Sequence, residues 1–271
     1  MLEIGNVSFG YEKNVPVVRN LSCRLQEGRI YGLLGMNGAG KTTLLKLLSG
    51  LLFPDSGSII LDGKDVSKRS VETLQKIFYM PSEFRFPCIS LEKLIGLQSV
   101  FYPYFSLEIL MDCLESSGIG SEVKDLGKLS GGQKKKVMLA FALSVRTNIL
   151  LMDEPLDGMD IPSRDIFRKL LVKHTDESRT VVISGHRTQD MENLLTDVLI
   201  FRKDGTVFAG CLEELSGRYS FGVDRTGAGA VYAEPYPGGF RVIRENMPSA
   251  WHDTDADLEM LFNAVRKGVI R

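Results

Sequence analysis

Residues 35–43 have the types and spacing of a phosphate-binding loop. They read Gly-Met-Asn-Gly-Ala-Gly-Lys-Thr-Thr and directly follow the apolar run Ile30–Leu34. This strand-then-helix context gives the G-x-x-x-x-G-K-[ST] pattern its meaning, whereas a glycine-rich turn before an amphipathic helix would not need the Lys and Thr. Glycines let the backbone curl until several N–H groups converge on one phosphate. Lys41 adds a positive charge between the β- and γ-phosphates of a triphosphate, and the Thr42 hydroxyl can hold Mg²⁺.

A second apolar run, Ile149–Met152, ends in the two acids Asp153 and Glu154. Burial of such a strand brings both carboxylates to the carboxyl edge of a sheet, beside the phosphates. Asp153 can then hold Mg²⁺, directly or through water, and Glu154 can polarise an attacking water. A solvated acidic strand end would explain the pair taken alone. The combination with a phosphate-binding loop favours the chemical interpretation.

The segment Leu129–Gln133 reads Leu-Ser-Gly-Gly-Gln and precedes an amphipathic helical pattern. A serine and two glycines at a helix N-terminus form a second anion-binding nest. With these motifs, the chain resembles an ATP-binding cassette (ABC) ATPase over residues 1–212, and Leu-Ser-Gly-Gly-Gln is the signature of that family. The resemblance implies an α/β fold of the P-loop NTPase class, with a mixed central sheet, an antiparallel β subdomain and an inserted helical subdomain.

The resemblance also implies roles for individual residues. Glu154 and His186 are the expected catalytic residues, with His186 contacting the γ-phosphate; outside the family pattern a histidine there is more often structural. The expected metal ligands are Thr42 and Asp153. The expected ATP-binding residues are Tyr11, which stacks on adenine, and Gly35, Met36, Asn37, Gly38, Ala39, Gly40, Lys41, Thr42 and Thr43. A signature loop that serves the ATP of a second subunit consists of Ser130, Gly131, Gly132 and Gln133.

One position departs from the family pattern. After the strand near Ile77–Pro81 the family has a glutamine that contacts Mg²⁺ or the attacking water, whereas this chain has Ser82 followed by Glu83. Serine is too short to span the same gap, so a contact there requires a bridging water. We therefore expect slower hydrolysis or a different coupling to the partner. Because the other chemistry-bearing positions are present, we still expect an active ATPase.

Periodicity divides the chain into regions. Short β-type runs fill the first third, where Ser58–Gly63 indicates a strand that runs into a hairpin turn. Ser90 and Ser106 are predicted N-caps of helices in the stretch that follows.

Apolar strand runs return at Ile149–Met152, Thr180–Ile183 and Val198–Phe201, with helical segments expected in both intervals between them. Residues 1–213 are predicted to form the nucleotide-binding domain, with the helical subdomain inserted at about 84–147. Residues 214–271 are predicted to form a C-terminal accessory unit of small β hairpins and a closing helix.

Composition excludes several classes of protein. The net charge is −1, from 33 basic and 34 acidic residues, so no overall field attracts nucleic acid. The run Lys134–Lys136 fits an ordinary solvated helix face.

The four cysteines are scattered and indicate reduced thiols of the cytosol. The N-terminus lacks the pattern of a signal peptide, and no apolar run approaches the about 20 residues that cross a bilayer. We therefore expect a cytoplasmic protein.

The family resemblance implies how such a chain works. ATP is held between the phosphate-binding loop of one subunit and the signature loop of another, so a homodimer with two sites suffices. The leading hypothesis is an energy-coupling subunit bound to a separate transmembrane permease on the inner face of the cell membrane, in an exporter of drugs, lipids or polysaccharides. The alternatives are a soluble assembly factor without a transport role, and an ATP-binding regulator with low turnover, for which Ser82 is the motivation.

Overall fold

The computed structural model describes residues 1–13, 15–189, 191, 193–246 and 256–270, and their strands lie in three sheets. The strands are β1 (Leu2–Phe9), β2 (Val18–Leu25), β3 (Ile30–Leu34), β4 (Ser56–Leu61), β5 (Lys64–Asp65), β6 (Ile77–Met80), β7 (Ile149–Met152), β8 (Thr180–Gly185), β9 (Asp197–Phe201), β10 (Val207–Cys211), β11 (Tyr219–Asp224), β12 (Tyr232–Tyr236) and β13 (Gly239–Glu245). The α-helices are α1 (Lys41–Leu48), α2 (Val71–Leu74), α3 (Leu91–Gln98), α4 (Leu107–Ser116), α5 (Gly131–Ser144), α6 (Ile161–Lys173), α7 (Leu212–Arg218) and α8 (Leu258–Arg266).

The central sheet is mixed, as the family resemblance implies. Its order is β10-β9-β3-β8-β7-β6, with β10 antiparallel to β9 and the other neighbours parallel. Every residue of β3 and β7 is buried, as expected for strands covered on both faces. The parallel strands β3, β6, β7 and β8 therefore end at the same edge of the sheet, and the segments that follow them meet there.

An antiparallel sheet, in the order β2-β1-β4-β5, is formed by the N-terminal part of the chain. The predicted hairpin turn is confirmed at Asp62 and Gly63, which have φ of 49° and 78°. Positive φ at both central residues is the conformation that two-residue hairpins prefer. The buried side chains of this sheet share one apolar cluster with α1, which begins at the phosphate-binding loop.

The helical segment follows the predicted pattern. Ser90 and Ser106 begin α3 and α4, and their hydroxyls accept hydrogen bonds from the backbone N–H groups of Lys93 and Ile109, as helix N-caps do. Leu110 and Leu114 of α4 lie in the same apolar cluster as residues of α5. The helix that carries the signature loop is thereby fixed within this segment.

The interval between β8 and β9 differs from the prediction. A helical segment was expected there, but the described residues between these strands form turns. Backbone bonds join residues three apart, from Met191 N–H to the Thr188 carbonyl and from Leu194 N–H to the Met191 carbonyl. Asn193 has φ of 65°, a left-handed conformation that interrupts a helix. The apolar spacing reflects burial of Met191 and Leu194 beneath successive turns.

The C-terminal region contains a three-stranded antiparallel sheet, in the order β11-β13-β12, and the predicted closing helix α8. The hairpin between β12 and β13 confirms one of the predicted hairpins. Arg202, just after β9, donates to the carbonyl oxygens of Val265 and Ile270 at 3.4 and 3.3 Å. Buried side chains of β13 and α8 join the apolar cluster that also contains β9. The proposed domain division between residues 213 and 214 falls inside α7.

Within the part of the chain that the structure describes, none of the helices has the length and apolar character needed to cross a membrane. The longest of them, α5, has 14 residues, against about 20 for a spanning helix. The fold therefore provides no membrane-spanning helix of its own in these residues.

A buried arginine closes the C-terminal end of α5. Arg179, which is 3% exposed, donates to the carbonyl oxygens of Leu143 and Ala142 at 3.1 and 2.8 Å. Burial lowers the pKa of its guanidinium to about 10. The last carbonyls of a helix need partners, and a cation there also complements the helix dipole. Arg179 therefore connects the start of β8 to the end of the signature helix.

We expect Arg179→Met to lower the free energy of unfolding by about 2 kcal/mol, because two buried carbonyl oxygens lose their donors. Urea unfolding monitored by circular dichroism measures the change. The matched control is Arg146→Met, since that arginine is 51% exposed and its nearest carboxylate, on Asp176, is 3.7 Å away. The control should change stability by less than about 0.5 kcal/mol. Equal effects of the two substitutions would contradict the role assigned to Arg179.

Candidate nucleotide-binding and hydrolysis site

The phosphate-binding loop lies between β3 and α1, as predicted. Gly40 caps α1 with φ of 111°, and a Cβ added there would lie 2.7 Å from Cγ1 of Val17, so the position requires glycine. The Lys41 side chain is buried, and its Nζ donates to the carbonyl oxygens of Gly35 and Met36 at 2.9 and 3.3 Å. The lysine thus lies folded back over the loop whose backbone it stabilises.

Asp153, at the end of β7, lies at the centre of a network of hydroxyl groups. The carboxylate is 1% exposed. The Thr42 hydroxyl donates to Oδ2 at 2.7 Å, and the Ser184 hydroxyl donates to Oδ1 at 2.6 Å. Burial, followed by the charge of the nearby Asp153, raises the pKa of Tyr79 on the neighbouring strand β6. The predicted proximity of Asp153 to the phosphate-binding loop is therefore present in the fold.

The oxygen atoms of Thr42 and Asp153 are suited to binding a magnesium ion. Thr42 Oγ1 and Asp153 Oδ2 are 2.7 Å apart, which is close to the separation of neighbouring oxygen ligands around Mg²⁺, and Mg²⁺ prefers oxygen ligands. Both atoms also lie next to the segment that would hold a triphosphate. The Thr42 hydroxyl and the Asp153 carboxylate are the groups that would hold Mg²⁺, with phosphate oxygens and water completing its coordination.

Glu154 follows Asp153 and turns its carboxylate toward two of the predicted site residues. Its Oε1 is 3.6 Å from Lys41 Nζ and 3.8 Å from His186 Nδ1. Its backbone is in the left-handed region, with φ of 47°, which is uncommon for a residue with a side chain. The backbone N–H of Glu154 donates to Ser184 Oγ at 2.9 Å. The acid, the lysine and the histidine therefore converge on one place at the sheet edge.

The interpretation of Lys134–Lys136 as a solvated face is wrong for Lys135. This side chain is 9% exposed, and its Nζ donates to the backbone carbonyl oxygens of Glu154 and Asp157 at 2.9 and 2.6 Å. Burial lowers the pKa of the ammonium group. The loop after Glu154 covers α5 at this point. Contacts of this kind cannot be recognised from the charges of neighbouring residues in the sequence.

Tyr11 lies next to the start of α1. Its hydroxyl is 3.1 Å from the Thr43 hydroxyl, and its ring meets that of Phe9 edge to face, with centroids 5.1 Å apart. The side chain is nevertheless exposed. A ring that is exposed beside the start of α1 is accessible for stacking on a flat base.

The signature residues lie away from the phosphate-binding loop of the same chain. Ser130 caps α5 by accepting from the Gln133 N–H, while the Gln133 side chain accepts from the Ser130 N–H. Gly131 and Gly132 line a cavity of about 580 Å³ together with Ser82 and Asp157, and none of residues 35–43 lines it. The nest is preformed by its capping box, but it faces a different part of the surface.

Ser82 is half-buried and lines that same cavity, beside the exposed Glu83. The strand before it nevertheless reaches the site, because burial, followed by the charge of the nearby Asp153, raises the pKa of Tyr79 on β6. Sequence reasoning missed both Tyr79 and Ser184. A hydroxyl within an otherwise apolar strand, next to the acid-bearing strand, is the signal that would have identified them.

The C-terminal helix also reaches the phosphate-binding loop. Arg266 of α8 contacts the Met36 side chain through its guanidinium group. Both residues line a cavity of about 500 Å³, which also includes Gly38 and Lys203, within the size range of small-molecule sites. The C-terminal unit was expected to be separate from the catalytic core. Its sequence pattern gives no indication of this contact.

Comparison with known proteins agrees with this geometry. The sequence profile of one family, described as ABC transporter, matches residues 18–157, slightly more than half of the chain. The ABC transporter ATP-binding protein YtrB of Bacillus subtilis is 29% identical over 287 residues, which cover 97% of each chain. That alignment therefore extends through most of the C-terminal region.

Two further relatives have names that state a function, which is linearmycin resistance for one and import of Fe(3+) ions for the other. The linearmycin resistance ATP-binding protein LnrL of Bacillus subtilis is 29% identical over 223 residues, which cover 80% of this chain and 71% of that protein. The Fe(3+) ions import ATP-binding protein FbpC of Photobacterium profundum is 32% identical over 217 residues, which cover 74% of this chain and 61% of that protein. The chain is similar to both.

Among solved structures, the dimeric bacterial ABC transporter cassette MJ0796 superposes with a TM-score of 0.68 at 22% identity, covering 78% of this chain and 99% of that one. This likeness establishes the cassette fold. Together with the family profile, which includes the phosphate-binding loop, the signature loop and both acids, it gives one conclusion. The chain belongs to the ABC transporter family as an ATP-binding subunit that hydrolyses ATP to ADP and phosphate.

Proposed function

We propose that two copies of this subunit close head to tail around ATP and Mg²⁺, and that the closure drives a separate membrane permease. The observation that carries the proposal is the separation of two anion-binding ends on one chain. Lys41, Asp153 and Glu154 meet at one sheet edge, whereas Gly131 and Gly132 line another cavity. Neither end encloses a γ-phosphate alone, so a second copy supplies the missing half.

The chain's own residues have distinct roles in this proposal. Lys41 neutralises phosphate charge, and Glu154 accepts a proton from the water that attacks the γ-phosphorus. The bond between that phosphorus and the bridging oxygen of ADP breaks, and ADP and phosphate leave. His186, 3.8 Å from the Glu154 carboxylate, orients the γ-phosphate. Thr42 and Asp153 would hold Mg²⁺, which would compensate charge on the phosphates.

An apolar surface on the helical segment supports a membrane partner. Five large apolar side chains within residues 97–107 are between 51% and 71% exposed. They are Leu97, Val100, Phe101, Tyr104 and Leu107. Contiguous exposed apolar side chains commonly mark interaction sites. We infer that the permease binds here and holds the subunit at the cytoplasmic face of the membrane.

The proposed direction of transport is export of a drug, lipid or polysaccharide. It rests on the resemblance of residues 54–58, of the helical insert and of the C-terminal segment 258–262 to exporter subunits. Reconstitution of the complex in vesicles, with ATP supplied on the side of this subunit, tests it. Movement of cargo away from that side supports export, and movement toward it contradicts export.

Two alternatives predict different results. An assembly factor would purify without a membrane protein, whereas the proposed subunit should co-purify with a permease that has several spans. A low-turnover regulator would bind ATP and release little phosphate. The convergence of Glu154, Lys41 and His186 favours an active site over a regulator.

We expect Glu154→Gln to bind ATP and accumulate as a dimer, because the amide keeps the size of the side chain but cannot accept the proton. Phosphate release should fall about 10²- to 10⁴-fold. Size-exclusion chromatography with light scattering, with and without Mg-ATP, measures the dimer. Glu177→Gln is the control, since Glu177 is exposed and outside the site, and it should behave like wild type. A Glu154→Gln variant that stays monomeric with ATP, alone and with its permease, would contradict the composite site.

We expect Ser82→Gln to change phosphate release by less than about tenfold, which corresponds to about 1.4 kcal/mol of barrier. The reason is that the Thr42 and Ser184 hydroxyls already hold Asp153, and Glu83 remains available beside the cavity. Steady-state phosphate release at saturating Mg-ATP measures the effect, with Ser82→Ala as the control for loss of the hydroxyl. A gain far above tenfold would show that serine impairs the site and would favour the regulator.

A further inference from the structure

Lys135 is a buried cation that has no role in the proposed reaction as described above. It lies in α5, two residues after the signature loop, and is 9% exposed. A buried ammonium group is costly unless its hydrogen bonds are satisfied. Here the acceptors are the carbonyl oxygens of Glu154 at 2.9 Å and Asp157 at 2.6 Å. Lys135 therefore fastens the signature helix to the loop that begins at the proposed catalytic acid.

The residue that Lys135 holds has a strained backbone. Glu154 has φ of 47°, and a non-glycine residue persists in this region only where its surroundings fix it. Both backbone polar groups of Glu154 are fixed. Its N–H donates to Ser184 Oγ at 2.9 Å, and its carbonyl oxygen accepts from Lys135 and from the Asp157 N–H, the latter at 3.2 Å.

The direction of the Glu154 carboxylate follows from this backbone conformation. The carboxylate lies 3.6 Å from Lys41 Nζ and 3.8 Å from His186 Nδ1. Rotation of the Glu154 peptide toward a common conformation would turn the side chain away from both. Misplacement of a catalytic group by about 1 Å can cost about 100-fold in rate. The hydrogen bond from Lys135 to the Glu154 carbonyl oxygen can thus affect hydrolysis without any contact between Lys135 and ATP.

We propose that Lys135 is a positioning residue for hydrolysis: it holds the Glu154 backbone in its left-handed conformation and ties the signature helix to the loop that carries the Glu154 carboxylate of the same chain. The inference rests on the proposed head-to-tail dimer. In that dimer the signature loop of a chain serves one ATP, whereas Glu154 of the same chain serves the other. Lys135 is then a direct link between the two sites, although its main effect is on the Glu154 of its own chain.

The first test separates catalysis from ATP binding. Lys135→Met keeps the length of the side chain and removes the donors, so kcat should fall about 10- to 100-fold, while the affinity for ATP stays within about twofold. Lys135→Arg keeps a cationic donor and should retain more activity than Lys135→Met. Lys128→Met is the control, because the Lys128 side chain is 85% exposed, and it should match wild type. If Lys135→Met does not fold, Lys135→Gln, whose side chain is uncharged and one atom shorter than that of lysine, replaces it, and kcat should again fall while ATP affinity stays within about twofold.

The second test assigns the effect to one chain. Differently tagged chains are mixed, one carrying Glu154→Gln, and mixed dimers are isolated. Phosphate release then reports the site that uses Glu154 of the other chain and the signature loop of the Glu154→Gln chain. Lys135→Met should reduce release when it is in the chain with the intact Glu154. It should have little effect when it is added to the Glu154→Gln chain.

The outcomes distinguish this inference from the proposed function. If Glu154→Gln does not dimerise with ATP, the composite site itself fails. If the dimer forms but the loss occurs only when Lys135→Met is in the Glu154→Gln chain, then Lys135 acts through the signature loop and the inference is wrong. Unchanged kcat in Lys135→Met, or an equal loss of ATP affinity and kcat, overturns it as well.

Discussion

The carboxyl edge of the parallel sheet determines where this protein can place charged and polar groups. Strands β3 and β7 are buried along their whole length, so charged and hydrogen-bonding side chains collect where the strands end. Because β7 lies between β6 and β8, Asp153 is placed between Tyr79 of one neighbour and Ser184 of the other. The phosphate-binding loop follows β3 at the same edge. The strand order thus assembles the site from segments that are distant in sequence.

Burial then makes each charge depend on its neighbours. Lys41 and Asp153 are 5% and 1% exposed, and a buried charge is tolerated only with good hydrogen bonds. Lys41 donates to loop carbonyl oxygens, and Asp153 accepts from two hydroxyl groups. Bound ATP and Mg²⁺ would use the same groups. Lys41 Nζ would donate to the triphosphate, and Thr42 Oγ1 would help to hold Mg²⁺. The internal hydrogen bonds therefore keep these side chains in a conformation suited to binding.

Local sequence patterns were sufficient to predict the strands, helix starts and loop whose formation depends on neighbouring residues. Apolar runs predicted β3, β7, β8 and β9 of the central sheet, Ser90 and Ser106 predicted two helix starts, and the glycine–lysine–threonine pattern predicted the loop. The prediction was wrong for the turns around Asn193, where a left-handed residue interrupts a helix-like apolar spacing. It missed Ser184 and misjudged Lys135, because each acts on Glu154 from a distant segment. Such contacts depend on the tertiary fold, which residue periodicity does not encode.

In the proposed dimer, one ATP is enclosed by two copies of this chain. A crystal or cryo-EM structure of Glu154→Gln with Mg-ATP would show this enclosure. We expect a triphosphate on residues 35–43 of one copy, with Ser130 of the second copy within hydrogen-bonding distance of the γ-phosphate. An ATP enclosed by a single copy, or bound away from Lys41, would contradict it.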